Sequence, residues 1–303
     1  MKNVGLIGLG AMGVPMAKRL YTAGLLAGVY NRTRSKADSF QEMGVFVANS
    51  PADLARRCEI IISIVSDDQA LKSIMFGAEG VLRSFTRSGI ILEMSTTSIE
   101  ALEEVVKEAE KYGVDILDAP VSGIPTDAEQ GNLTVMVGGR QETFNSCLDI
   151  FKAISTSAIH VGGLGSARQL KYANNMLVAI NLMGALEVTS FIKKTAVDPQ
   201  KFAEVIKQSR GNSWAFGRFI PGLLSQNCEE HRFTLNKDLD LALRVASDLG
   251  VAAPFTSLAK QYLQAASSPK LGDKQEQTVR LSSLVRIFEC VSGVHIIAGT
   301  KEE

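Results

Sequence analysis

Neither sign of charge is in excess in this 303-residue chain: Lys plus Arg and Asp plus Glu number 32 each. Composition therefore offers no basic surface for nucleic acid or anionic membrane, and neither is an expected partner. Cysteine is scarce, with Cys58, Cys147, Cys228 and Cys290 far apart and no C-x-x-C pair. That spacing argues against a disulfide framework or a thiolate metal site, and for reduced thiols in a cytoplasmic protein. His160, His231 and His295 are as scattered, so no metal is expected. No run of about 18 apolar residues presents itself as a bilayer span, and the amino terminus enters a strand without a charged-then-apolar leader. What remains is an ordinary globule of 46% apolar and 21% charged residues, long enough to expect two domains.

The most informative segment comes first. An apolar strand, Val4 to Ile7, runs into Gly8-Leu9-Gly10-Ala11-Met12-Gly13 and then a helical pattern. Three glycines so spaced are weak evidence in a chain with 26 of them, but a strand before and a helix after make them a dinucleotide-binding turn. Gly8 permits the tight turn, Gly10 lets backbone approach a pyrophosphate, and Gly13 brings helix and strand together. The N–H groups opening the helix face the phosphate charge. The second strand, Leu25 to Tyr30, ends in Asn31-Arg32-Thr33. An NAD-selective site carries Asp or Glu at that tip. Here Arg32 can pair with a 2′-phosphate and Asn31 and Thr33 can donate to it, with Arg34 and Lys36 nearby, so NADP is favoured over NAD.

The first half of the chain alternates strand and helix. Strands are expected at Val45 to Val47, Glu59 to Val65, Ile90 to Met94, Val114 to Leu117, Leu133 to Val137 and Ser157 to Val161. Helices are expected at Ser35 to Glu42, from Pro51, at Ser98 to Tyr112 and at Glu142 to Ile154. The near-continuous apolar strands suit a sheet buried on both faces. This is an α/β fold, an N-terminal Rossmann doubly wound sheet with an extra mixed edge. Organisation changes at Val161-Gly162-Gly163-Leu164-Gly165. Beyond it an all-α C-terminal domain is expected, built around a central helix, Ser166 to Lys194, roughly 40 Å long at about 1.5 Å per residue. Further helices are expected at 199–208, 214–224, 235–249, 254–266 and 279–291. The division expected is 1–163 for the nucleotide domain and 164–303 for the helical one.

Ligands in such sheets bind beyond the carboxyl ends of the strands. There lie Val65-Ser66, Ser95-Thr96 and Asp118-Ala119-Pro120-Val121-Ser122-Gly123. Ser122 and Gly123 can offer a hydroxyl and a bare N–H to a carboxylate. On the long helix Lys171 and Asn175 are four apart and share a face. A lysine just past the hinge can protonate a carbonyl oxygen as hydride arrives and steady the forming alkoxide.

The motifs together resemble the β-hydroxyacid dehydrogenase family, which includes 3-hydroxyisobutyrate dehydrogenases and glyoxylate/succinic semialdehyde reductases. The likeness is carried by Gly5 to Gly13 with Pro15-Met16-Ala17, by Asp118 to Gly123 continued through Gly131 and Leu133 to Met136, by Gly162 to Ser166 with Lys171 and Asn174-Asn175, and by Lys237-Asp238-Leu239. It implies Lys171 as general acid/base, Asn175 as its substrate-binding companion, Ser122 and Gly123 on the substrate carboxylate, and Thr96 and Lys237 near the nicotinamide with Asp238 beside them. It also implies dimers or tetramers formed through the long helix, and NADPH-dependent aldehyde reduction. Two positions depart from it: Ile124 replaces a usual glycine, reshaping the substrate pocket, and Ala167 replaces another in the hinge. Arg210 to Trp214 resembles the four-carbon sugar-acid members, leaving a threonate-type dehydrogenase as an alternative. A non-catalytic NADP(H)-binding module and an imine reductase are the others.

Overall fold

The computed structural model describes residues 3–86, 88–225, 230–268 and 278–297. They form two compact units, Met1–Lys171 and Tyr172–Glu303.

In the first unit, β1 (Val4–Ile7) leads through α1 (Gly13–Thr22) to β2 (Leu26–Tyr30), then a 3₁₀ turn (Arg34–Ala37), α2 (Asp38–Glu42), β3 (Phe46–Val47) and α3 (Pro51–Ala55). There follow β4 (Ile60–Ser63), α4 (Asp68–Met75), β5 (Ile90–Glu93), α5 (Ile99–Glu110), β6 (Asp115–Asp118), β7 (Val121–Ser122), α6 (Pro125–Gln130), β8 (Leu133–Gly138), α7 (Gln141–Ser146), α8 (Leu148–Ile154) and β9 (Ser155–Gly162). The strand order is β3-β2-β1-β4-β5-β6-β8-β7, with β9 on β8. The first six strands run parallel; β8 is antiparallel to β6 and β7 and parallel to β9. This is the doubly wound order, whose direction of winding reverses between β1 and β4.

Alternation along the strands decides what each face buries. Ile60, Ile62, Leu92 and Leu117 pack with Met16, Leu20 and Phe151 on one side. Ile61, Ile91 and Ile116 pack with Leu54, Leu71, Leu102 and Val105 on the other. Two apolar layers thus clamp the sheet, fixing where its strand ends project.

The long helix α9 (Ser166–Lys193) matches its expected span to within a residue. It continues into α10 (Pro199–Lys207), α11 (Trp214–Leu224), β10 (Arg232–Phe233), α12 (Leu235–Asp248), α13 (Pro254–Ala266), β11 (Val279–Arg280) and α14 (Leu281–Ser292). Ala179, Leu182 and Leu186 of α9 enter a core with Phe216, Phe219, Leu239, Leu263 and Leu284. The first compact unit includes the opening turns of α9, through Lys171.

Several local expectations are corrected. The helix expected at Ser35 to Glu42 begins as a 3₁₀ turn. The one at Glu142 to Ile154 breaks at the buried Cys147. The last begins at Leu281, because Val279 and Arg280 pair antiparallel with Phe233 and Arg232 in a small ribbon within the helical unit. Helices α4 and α6 were not anticipated. The expectation that no segment could span a bilayer also needs revision, since α9 is long and apolar enough by length and composition, with a mean hydropathy of 1.5. Of that window 44% is buried inside the protein, so much of its apolar surface serves the core.

Cys58 and Cys147 are buried and Cys290 is exposed, all as free thiols, while Cys228 lies outside the described residues. Burial pushes the Cys58 thiol up to about 12 despite the nearby Arg57 guanidinium. Since the thiolate is the reactive form, native protein at pH 8 should lose Cys290 to a maleimide rapidly. Cys58 and Cys147 should be labelled only after denaturation, as peptide mass spectrometry would show.

Candidate active site

The turn after β1 is shaped by what its glycines exclude. A side chain on Gly8, whose φ is +103°, would place Cβ 2.0 Å from the Ile64 carbonyl oxygen. One on Gly13 would place Cβ 1.8 Å from the Gly8 carbonyl oxygen. At Gly10, by contrast, Cβ would meet no atom within 4 Å. Gly8 and Gly13 are therefore demanded by packing, whereas Gly10 keeps backbone bare beside open space.

That space is a cavity of about 600 Å³, within the usual range for small-molecule sites. It is lined by Ile7, Gly8 and Gly10 from β1 and its turn, by Tyr30 to Thr33 and Lys36 after β2, and by Ile64, Val65 and Ser66 after β4. These are the carboxyl ends of the strands at the reversal point. Of the residues expected to hold the cofactor, Gly8, Gly10, Asn31, Arg32, Thr33, Val65 and Ser66 are brought together here. Ala11, Met12 and Gly13 lead into α1 behind the turn, Thr96 is half-buried after β5, and Lys237 belongs to the second unit.

The strand tip carries no carboxylate. Arg32 and Lys36 are exposed at the rim, and Arg34 donates to Asn49 Oδ1 at 3.2 Å. Glu79, in the segment that follows α4, also lines the cavity. Asn31 has a structural duty that the sequence did not reveal. Its Oδ1 accepts from the Leu9 N–H at 2.9 Å and its Nδ2 donates to the Thr33 carbonyl at 2.9 Å, tying the glycine turn to the second strand's loop. Ser66 is likewise engaged, its hydroxyl donating to Asp67, the residue that caps α4. The bare backbone at Gly10, the helix start behind it and the cationic rim fit a dinucleotide phosphate chain.

Beyond β5 and β6 lies a cluster not foreseen from sequence. Arg168, in the first turn of α9, is fully buried. Its Nε donates to Asp118 Oδ1 at 2.9 Å, and its Nη1 to Thr97 Oγ1 at 2.5 Å and the Ser98 carbonyl at 2.6 Å. Its Nη2 pairs with Glu93, and its backbone N–H donates to Asp118 Oδ2 at 3.0 Å. Burial pushes both carboxyls above the usual range, with the guanidinium pulling each back. Folding thus favours the proton on these groups, and their contribution to stability declines as pH rises above the ordinary carboxylate range. Removing one member of such a buried set leaves an uncompensated charge, at a cost of about 3–5 kcal/mol.

Lys171 follows one turn later and is half-buried. In the same unit, Ser122 pairs with Thr134 across β7 and β8, and Gly123 has φ +146°. The Ile124 N–H donates to Asp127 Oδ2 at 2.8 Å, which fixes the start of α6 and leaves the Ile124 side chain half-buried. In the second unit, buried Asn175 donates from Nδ2 to Asp238 Oδ2 at 2.8 Å, and accepts on Oδ1 from Asn174 at 3.1 Å. Lys237 Nζ stands 3.2 Å from Asp238 Oδ1. Asp238 is thereby a partner of Asn175 and Lys237.

Comparison with known proteins adds family to geometry. Residues 3–163 match the model of the NAD binding domain of 6-phosphogluconate dehydrogenase. Residues 165–282 match that of the NAD-binding segment of NADP-dependent 3-hydroxyisobutyrate dehydrogenase. The chain is 30% identical over 289 residues to the uncharacterized oxidoreductase YkwC of Bacillus subtilis, covering 95% of this chain and 99% of that one. It is 31% identical to the mitochondrial 3-hydroxyisobutyrate dehydrogenase of Mus musculus, covering 91% and 85%. Among solved structures, Psf3 in complex with NADP+ and 2-OPP aligns with a TM-score of 0.82 at 26% identity, covering 95% and 99%. With a nicotinamide-dinucleotide cradle in the first unit, an N-terminal Rossmann fold and these matches along its length, the chain belongs to the β-hydroxyacid dehydrogenase family.

Proposed function

We propose that this protein is an NADP(H)-dependent oxidoreductase that interconverts a small 3-hydroxy acid and its semialdehyde or keto form, running as an aldehyde reductase. The observation that carries the reading is the company Lys171 keeps: it stands on a helix start pinned to the same sheet that builds the dinucleotide cavity.

When bound, a nicotinamide cofactor would provide the hydride chemistry. The protein's part is to hold the acid and manage the proton. Ser122 Oγ and the Gly123 N–H are the donors for the substrate carboxylate. Lys171 Nζ gives its proton to the carbonyl oxygen as the alcohol forms, and takes it back in the oxidative direction. Until transfer, its positive charge stabilises the oxygen that is becoming an alkoxide. Thr96 is assigned to the nicotinamide end. Arg32, with Thr33 and Lys36 beside it, recognises the 2′-phosphate, since nothing acidic at the strand tip opposes it.

The self-association expected of such a chain is assigned to α9. Leu177, Val188 and Phe191 are 61%, 44% and 67% exposed. With Gly184 they recur at heptad-like spacing along one face, an apolar stripe suited to a second copy of the same helix.

Three experiments test these assignments. NADPH and NADH should be followed optically with glyoxylate, succinic, methylmalonate and tartronate semialdehydes; Lys171→Ala should then lower kcat on the accepted substrate by about 10²–10⁴-fold, the usual worth of a placed acid/base. Wild-type turnover in that variant rejects the mechanism. Arg32→Ala should raise the KM for NADPH about 10–100-fold, the loss of a charge-assisted phosphate contact, while leaving that for NADH nearly unchanged. Light scattering of Leu177→Asp should show a smaller particle than wild type; an unchanged mass would remove α9 from the interface.

A further inference from the structure

We propose that Arg168 is a positioning residue for the reaction, holding the start of α9, and with it Lys171, in register with the strand-end loops. The inference rests on the acid/base reading of Lys171 and concerns a residue that the motifs do not single out.

Arg168 and Lys171 are three apart on one helix, so they are neighbours along its surface. One is fully buried and the other half-buried. The guanidinium reaches the last residues of two adjacent strands, Glu93 of β5 and Asp118 of β6, together with Thr97 Oγ1 and the Ser98 carbonyl in the loop between β5 and α5. Each of those contacts leads to a segment of the proposed site. Thr97 adjoins Thr96. Asp118 opens the run that reaches Ser122 and Gly123 four and five residues on. Glu93 accepts on Oε1 from the Ser95 N–H at 3.1 Å, and Ser95 Oγ accepts from the Val65 N–H at 2.8 Å, which brings in the edge of the dinucleotide cavity. Ser98, in turn, donates from Oγ to Asp68 Oδ2 at 2.6 Å and caps α5.

One buried cation therefore joins three loops and a helix. Sliding α9 by one residue would translate it about 1.5 Å and turn it about 100°, stranding two carboxylates in the interior with no counter-charge. The planar fork, with donors on Nε, Nη1 and Nη2 all used, sets direction as well as charge, which a lysine cannot reproduce. Because a misplacement of about 1 Å can cost about 100-fold in rate, a fixed helix start matters more here than the stability of the cluster.

The test separates placement from folding with two variants. Arg168→Lys keeps the charge and loses the fork. The neutral triple variant Arg168→Met/Glu93→Gln/Asp118→Asn removes every charge together, an exchange that buried ion clusters often tolerate in stability. Melting temperature, NADPH affinity by fluorescence, steady-state kinetics and the acetylation rate of Lys171 under trace acetic anhydride, read by mass spectrometry, are compared with wild type. Expected is a fall in kcat of about tenfold or more in both, by the same sensitivity to placement, with NADPH affinity and KM within about twofold and a changed Lys171 acetylation rate. A folded variant of either kind with wild-type kcat and acetylation rate overturns the proposal. Activity surviving in Lys171→Ala would instead remove the acid/base reading, while the acetylation rates still report whether Arg168 places the amine.

Discussion

A parallel sheet buried on both faces leaves little room for charge, yet β5 and β6 both end in a carboxylate that no solvent reaches. Burial works against the charge on Glu93 and Asp118, and a single guanidinium arriving from α9 opposes that cost by pairing with both. From that constraint several features follow. The opening turns of α9 must pack with the sheet, which is why the first compact unit runs on to Lys171. The loops after β5 and β6 are held by side chains whose other contacts are internal, so they are presented stiffly. And the helix that carries the proposed acid/base begins at a point set by electrostatics, beyond a flexible-looking run of glycines.

The dinucleotide turn obeys a different logic, steric rather than electrostatic. Two of its glycines are required by the close approach of β4 and α1, and the third faces open space. The same short segment thus records both how the protein packs and where it leaves backbone uncovered for a phosphate chain. The cavity it borders collects residues from three strand ends, as the reversal of strand order dictates.

Much of this was legible in the sequence because it depends on local pattern. The apolar strands, the glycine spacing, the α9 span and four of the five later helices all express periodicity or backbone need within a short window. What escaped depended on distant partners. Cys147 interrupts a continuous helical pattern where the chain turns into the core. Val279 and Arg280 look helical until Arg232 and Phe233, nearly fifty residues earlier, are there to pair with them. The α4 helix did have a local signal, Asp67 three residues before Ala70, whose N–H it caps; reading Ser66-Asp67-Asp68 as a strand's polar boundary obscured it. Arg168 carried a subtler one: the carboxylates that close β5 and β6 at buried strand ends call for a cation, and it is the first one after the hinge. Pairing across 50 and 75 residues is information a linear reading does not contain.

Asn31 brings together two functions that are separable in principle. The tip of the second strand is where nucleotide preference is ordinarily written, as an acidic or a neutral side chain. In this protein the same carboxamide is also a clasp, accepting from Leu9 on one side and donating to Thr33 on the other. An acid at that position would keep the acceptor but lose the donor, setting its negative charge against the Thr33 carbonyl. Evolution, or an engineer, could not rewrite cofactor choice there by a single exchange without loosening the very loop that frames the glycine turn. The route to a different coenzyme would have to pass through neighbouring rim residues first.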